Sequence, residues 1–231
     1  STFTIRGVLN LTAPDGGNAY YYGNYTNITW VDTGTVGNVR LTYSKNNNWA
    51  SAISINSSLA QNTSPYNWTI PDDVSEVVKV RIEAIGDAGI NDSSTNFFNI
   101  RGSLNLTSPN GGENLTVGSS YYINWTRTAL SMGNVTLSYT INGTDFTDIA
   151  EVASGSAGQY SAQYNWQPIP DAICSTTKVK ITSKDEANAT DISANPFFIR
   201  GKITTLAPIL DDVWTVEAPA DINFTTAGTI S

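Results

Sequence analysis

Residues 9–30, LNLTAPDGGNAYYYGNYTNITW, return as residues 104–125, LNLTSPNGGENLTVGSSYYINW, and again, loosened, as residues 203–224, ITTLAPILDDVWTVEAPADINF. Each copy follows an Ile-Arg-Gly junction: Ile5-Arg6-Gly7, Ile100-Arg101-Gly102 and Ile199-Arg200-Gly201. Glycine to glycine, the spacings are 95 (102 − 7) and 99 (201 − 102) residues. Solenoid units run to roughly 20–50 residues, so a period near 100 belongs to a complete small domain with its own core. Later segments also correspond: VGNVRLTYS with MGNVTLSYT, YNWTIPD with YNWQPIPD, and VVKVRIEA with TTKVKITS. The organisation predicted is therefore a closing strand of a preceding domain over 1–6, whole domains over 7–101 and 102–200, and the opening strands of a further, incomplete domain over 201–231. On this reading the chain is a window from a longer array.

Within one repeat the apolar residues alternate. Val78, Val80, Ile82 and Ala84 point one way and Lys79, Arg81 and Glu83 the other, the period-two signature of a strand with one wet face. Val39, Leu41 and Tyr43 alternate with Arg40 and Thr42, and Val135, Leu137 and Tyr139 with Thr136 and Ser138. Ile28 and Trp30 flank Thr29 as Ile123 and Trp125 flank Asn124. Turn residues punctuate these runs at Pro14-Asp15-Gly16-Gly17, Pro109-Asn110-Gly111-Gly112, Asn46-Asn47-Asn48 and Asn142-Gly143. Seven or so short strands, with no sustained helical period, predict an all-β fold of tandem immunoglobulin-like β-sandwiches. Trp30, Trp68 and Phe98 are the expected core anchors of one, Trp125, Trp166 and Phe197 of the next. The joint leaves only Arg101, Gly102 and Ser103 between strands, which predicts a semi-rigid rod in which Gly102 and Gly201 let the backbone cross.

Composition narrows the function. Charged residues are 14% of the 231, with 20 acidic against 12 basic and a net charge of −8, so a phosphate backbone would be repelled and no nucleic acid is expected as a partner. No apolar run is long enough to cross a bilayer, so no direct membrane insertion is expected in this segment. A signal peptide would not be visible in a window that opens inside a domain, and none is seen. Cys174 is the only cysteine, which excludes an intrachain disulfide and reads as a small apolar filler ahead of the run 177–183. Histidine is absent, removing the usual general base of nucleophilic triads and the commonest metal ligand. Asp72-Asp73, Asp185-Glu186 and Asp211-Asp212 fall in turn-like segments and read as solvated loop acids. The Arg-Gly joints offer cations where a calcium site would need carboxylates. No catalytic, cofactor-binding or metal-binding residue and no cofactor is predicted. Tyr20, Tyr21, Tyr22, Tyr121 and Tyr122 read as strand residues with alternate rings in the core and at the rim, with a sugar-stacking platform as the alternative.

The densest chemical signal is the N-glycan acceptor Asn-x-Ser/Thr. It occurs at Asn10, Asn24, Asn27, Asn56, Asn62, Asn67, Asn91, Asn105, Asn114, Asn124, Asn134, Asn142, Asn188 and Asn223. With 24 Asn and 52 Ser+Thr, chance supplies roughly 5 such motifs, so fourteen is an excess. Asn10, Asn105, Asn124 and Asn223 stand between inward-facing apolar residues, and Asn67 and Asn134 beside them, which puts all six on solvent faces.

The pattern Pro-x-Gly-Gly-Glu, a Gly a few residues on, then Ile-x-Trp, best kept over 108–125, resembles a widespread extracellular immunoglobulin-like module. It is similar to the domain of the fungal Ser/Thr-rich, glycolipid-anchored cell-wall family and to the "GGE…W" tandem repeats of large prokaryotic surface proteins. The first repeat departs at Asn18, and the third carries Ile209-Leu210-Asp211-Asp212 for the double glycine and Phe224 for Trp. The resemblance implies adhesion, wall association or surface scaffolding. The expected function is an extracellular, cell-surface structural protein, a glycosylated rod forming or decorating a fibre or filament. Its expected partners are further copies of the repeat and covalent N-glycans. An adhesin or carbohydrate-binding wall module, or a non-catalytic appendage of a secreted enzyme, are the alternatives.

Overall fold

In the computed structural model, residues 5–210, 212–217 and 219–230 are described. The chain divides into two compact units, Ser1–Ser103 with Thr128–Met132, and Leu104–Arg127 with Gly133–Ser231. The first contains β1 (Val8–Ala13), β2 (Ala19–Tyr21), β3 (Tyr25–Thr33), β4 (Val39–Ser44), β5 (Ile53–Leu59), β6 (Tyr66–Thr69), β7 (Ser75–Ala84), β8 (Asp87–Ser93) and β9 (Phe98–Arg101). The second contains β10 (Leu104–Ser108), β11 (Asn114–Thr116), β12 (Tyr121–Arg127), β13 (Asn134–Thr140), β14 (Thr147–Ala153), β15 (Ser161–Trp166), β16 (Cys174–Ser183), β17 (Thr190–Ile192) and β18 (Phe197–Arg200). One turn of 3-10 helix, Trp49–Ser51, interrupts the strands.

The two units repeat one topology. A three-stranded sheet β1-β3-β6 faces a six-stranded sheet β2-β9-β7-β4-β5, in which β8 also pairs with β7. The second unit has β10-β12-β15 and β11-β18-β16-β13-β14, with β17 on β16. All pairings are antiparallel except β2 with β9 and β11 with β18. Each of the two repeats, up to Arg101 and from Leu104 to Arg200, has nine strands where seven or so were expected; β2, β11 and β17 among them are only three residues long.

Alternation sets the core as expected. Trp30 and Trp125 are 4% and 1% exposed at equivalent positions, each with its indole N–H bonded to a backbone carbonyl, Gln61 O or Ser154 O, both at 2.8 Å. Trp68, Phe98, Trp166 and Phe197 are buried with them. Val78, Val80, Ile82 and Ala84 are fully enclosed, and each large apolar side chain so buried stabilises by roughly 1.5–3 kcal/mol. The opposite face of β7 is less wet than alternation implies. Glu83 is buried and paired with Arg40, and the Arg81 guanidinium lies 4.1 Å above the Trp49 ring. Lys180 stands over Phe146 at 3.8 Å in the same place of the second unit.

A polar staple joins the sheets of each unit. Asp92 accepts from Leu11 N at 2.7 Å, where β1 shifts register, and Asp191 accepts from Leu106 N at 2.6 Å at the same irregularity in β10. Two residues on, Ser94 Oγ donates to Pro14 O and accepts from Val80 N, as Ser193 Oγ does with Pro109 O and Val179 N.

The junction glycines are small for packing reasons. None of Gly7, Gly102 and Gly201 has a positive φ; a Cβ would collide with Val36 Cγ1 at 2.4 Å, Met132 Sδ at 2.6 Å and Ile230 Cγ1 at 2.6 Å respectively. Backbone freedom, the reason expected from sequence, is not what selects glycine there. By contrast Gly16 and Gly111, at φ 110 and 134, need glycine for both conformation and space.

The expected closing strand over 1–6 falls mostly on residues 1–4, outside the described residues. Ile5 is exposed, and Arg6 pairs with Asp87 at 2.9 Å. Residues from 202 on form β19 (Lys202–Ala207) and β20 (Asn223–Ala227), paired as β1 is with β3, including the register shift before Ala207. Their apolar residues Ile203, Ile222 and Phe224 are exposed, unlike their counterparts Leu9, Ile28 and Trp30.

Candidate functional site: the sugar-acceptor faces and a polar cleft

All fourteen sequon asparagines reach solvent. Asn56 and Asn124 are half-buried and the other twelve exposed. The inward neighbours that placed Asn10, Asn105 and Asn124 on outer faces are themselves buried: Leu9 and Leu11, Leu104 and Leu106, Ile123 and Trp125.

The side chains differ in how free they are. Asn27 and Asn67 face each other across β3 and β6, with Nδ2 of Asn67 3.4 Å from Oδ1 of Asn27. Asn134 donates to Glu151 at 3.0 Å; that bond, and then the one from Lys184, hold the Glu151 carboxyl below its ordinary range. Asn142 organises a turn, accepting from Asp145 N and Thr144 N and donating to Asp145 Oδ2. Asn56 accepts from Ser58 N, a local Asx turn within its own sequon.

The second unit carries a feature the first lacks. Gln61 and Ser154 hold equivalent places, each bonding the core tryptophan, yet Tyr66 follows five residues after the first (66 − 61) and Tyr164 ten after the second (164 − 154). The added residues extend β15 along Asn124–Thr126 and form the loop 154–160. Arg127, 5% exposed, clamps that loop. Its Nη1 donates to Ser154 Oγ at 2.7 Å, Nη2 to Ser156 O at 2.9 Å and Nε to Gln159 O at 3.1 Å. Asp32 stands at this position in the first unit, bonded to Gln61. Between the clamped loop and the outer face of β10-β12-β15 lies a cleft of about 570 Å³. Its polar walls include Thr107, Thr126, Ser156, Ser161 and Gln163 with Asn124, small apolar residues fill in between, and no ionisable side chain lines it. Neutral hydroxyls and amides of this kind match a hydroxyl-rich, uncharged ligand. The sequence reading missed the cleft; its trace was the longer second spacing.

Other singled-out residues resolve differently. Tyr20 packs edge-on against Phe98 with centroids 5.3 Å apart, and Tyr121 shares a hydrogen bond with Ser108 at 2.9 Å. Tyr21 and Tyr122 are exposed. Cys174 is a correction: it is half-buried and polar-bonded rather than an apolar filler, with Sγ 2.8 Å from Thr176 Oγ1 and accepting from Thr176 N at 3.2 Å. Burial pushes its thiol pKa up, but the hydrogen bonds from Thr176 and its neighbours outweigh this and lower it. The loop acids, expected to be solvated, divide: Glu186 is buried and Asp72 and Asp73 half-buried, against expectation, whereas Asp185 and Asp212 are exposed as expected, though hydrogen-bonded to the backbone. Asp72 accepts from Leu130 N at 2.7 Å and Ser131 N at 2.9 Å, Asp73 from Tyr43 Oη at 2.8 Å and Asp185 from Gly133 N at 2.6 Å. In the second unit, Asp171 accepts from the amide and hydroxyl of Thr229. Asp212 accepts from Ile209 N, while Asp211 lies outside the described residues. Among the described residues no three or more His, Cys, Asp or Glu are grouped as metal ligands.

The sequence matches no protein-family model and no curated protein. Solved structures similar at low identity include the following three. The fibronectin(III)-like modules of Clostridium thermocellum CbhA share 14% identity over 84% of this chain and 94% of that one, with a TM-score of 0.29. A chimeric titin Z1Z2 tandem shares 13% over 83% and 99%, at 0.29. The tetra-tandem repeat in the extending region of a large adhesion protein shares 15% over 89% and 53%, at 0.46. None of these likenesses bears on the cleft or on the sequons.

Proposed function

We propose that the chain is a non-catalytic structural segment of a glycosylated protein displayed outside the cell, a string of immunoglobulin-like repeats that builds or decorates a surface fibre. The observation that carries this is the placement of the sequons: fourteen where chance supplies roughly five, none of them buried. Charged residues are 14% of the chain against the roughly 25% usual for globular chains, and sugars on the flat faces would supply hydration that charges elsewhere provide. They would also shield strand edges from pairing with other chains. Among the described residues no helix is long and apolar enough to cross a membrane. Head-to-tail copies of the repeat are the partners this reading names, and the resemblance to surface "GGE…W" repeats and the fungal wall-family domain agrees with it. Glycopeptide mass spectrometry of native material is the test: sugars are expected at Asn10, Asn105, Asn124 and Asn134, and unmodified asparagine at all four defeats the proposal.

The polar cleft of the second unit favours a second reading, a carbohydrate-binding module. Glycan-array binding by deglycosylated protein would support it over a purely structural role.

A further inference from the structure

We infer that the cleft beside β10-β12-β15 is the seat of the sugar chain carried by Asn124, so that the second unit binds the first residues of its own glycan. The inference rests on the proposal that the sequons are glycosylated and adds a site to it. Asn124 is half-buried in the cleft wall, and its Nδ2 has only a long contact, 3.4 Å to Tyr122 O, so the acceptor nitrogen is available where the cleft opens. A sugar joined there begins inside the cleft. The volume of about 570 Å³ lies within the roughly 300–1,000 Å³ of small-molecule sites and exceeds what one monosaccharide fills.

The lining chemistry selects the same occupant. Thr107, Thr126 and Ser161 offer hydroxyls that donate or accept, and Gln163, directly across from Asn124 in the strand register, offers an amide with both functions. Such groups satisfy the hydroxyls of a neutral saccharide without the desolvation cost of an ionised partner. The roof is held in place beforehand: the buried Arg127 ties three points of the loop 154–160, so binding orders little new backbone. Asn105, on the same sheet face but outside the cleft lining, is the internal control.

The test uses the glycosylated full chain from its native source and variants made in the same host. Sodium periodate cleaves vicinal diols of any exposed sugar, and the extent of oxidation at each glycopeptide is read by mass spectrometry. The glycan at Asn124 is expected to oxidise about tenfold more slowly than that at Asn105, the protection two or three neutral hydrogen bonds provide. Gln163→Trp fills the cleft and is expected to bring the two rates together. Equal periodate rates at the two sites, or an unmodified Asn124 beside a glycosylated Asn105, overturn the cleft assignment alone. Absence of sugar at every sequon overturns both this inference and the function beneath it.

Discussion

Removing one oxygen from the sheet-to-sheet staple should weaken each unit, and by the same amount in both. Ser94 and Ser193 are 1% and 0% exposed. Each hydroxyl accepts from a β-strand amide, Val80 N or Val179 N, at 3.0 Å. Each also donates to a proline carbonyl, Pro14 O at 2.7 Å or Pro109 O at 2.8 Å. Alanine deletes both bonds with almost no change in volume, so a cavity term is negligible. What remains is a buried N–H with no acceptor, costing about 1–3 kcal/mol, and a carbonyl deprived of one donor, which costs less because its second lone pair tolerates it. The expected loss is about 2–4 kcal/mol in each unit, a large share of the roughly 5–15 kcal/mol that holds a domain folded. Native-state hydrogen exchange in rising urea, read on peptides of each unit separately, measures it for Ser94→Ala and Ser193→Ala. The substituted unit should lose protection and the other keep it. A loss below about 0.5 kcal/mol in both variants would show that the amides find other partners and would refute the staple.

Arg127→Met should destabilise the second unit by about 2–4 kcal/mol, since three bonds from a charged donor are lost while the loop recovers some by meeting water; urea unfolding of that unit reads it. Asp32→Ala, at the equivalent place, should cost less because the carboxylate accepts from one neutral donor, the Gln61 amide at 2.7 Å, in place of a charged clamp. The Thr229 hydroxyl, then its amide, hold the Asp171 carboxyl below the usual range against a smaller opposing effect of burial. A depressed folded-state value means the contact is intact above the unfolded pKa and is lost as pH falls through the folded one. Exchange at the Thr229 amide should therefore be flat from pH 5 to 8 after correction for intrinsic rates and rise below about pH 4, and Asp171→Asn should abolish that rise.

Period-two alternation made the strands legible because one face of each is packed and the other meets water. Val39, Leu41, Val78, Val80 and Ile82, all fully buried, follow it without exception. The same rule hid the staple. Asp92 and Ser94 point inward, but a polar residue in an alternating run is indistinguishable from an exposed one until its partner across the sandwich is known. The recurrence of Asp-x-Ser at 92–94 and 191–193 was the available signal. Arg127 was invisible for a related reason: nothing local says that a charged residue after Trp125-Thr126 turns into the protein, because its acceptors lie in a loop about thirty residues on. The sequons were legible as motifs and faces, since they depend only on near neighbours. The cleft was not, since it arises from an inserted loop folding back over a sheet.

The two parallel pairings carry a mechanical consequence. In the first unit, β2 near the start of the unit lies beside β9 near the unit's end, in the register Ala19↔Asn99, Tyr20↔Ile100 and Tyr21↔Arg101. Bonds from Gly17 N to Phe97 O, Asn99 N to Asn18 O and Tyr22 N to Arg101 O continue the ladder at both ends. The second unit repeats this with β11 and β18. Tension applied at the two ends of such a unit drags the neighbouring strands past each other lengthwise, so every rung is strained at once instead of one after another. A unit loaded in this way gives by sudden rupture at high force, as single-molecule pulling would register, and a thread made of such units would resist stretching until one of them breaks.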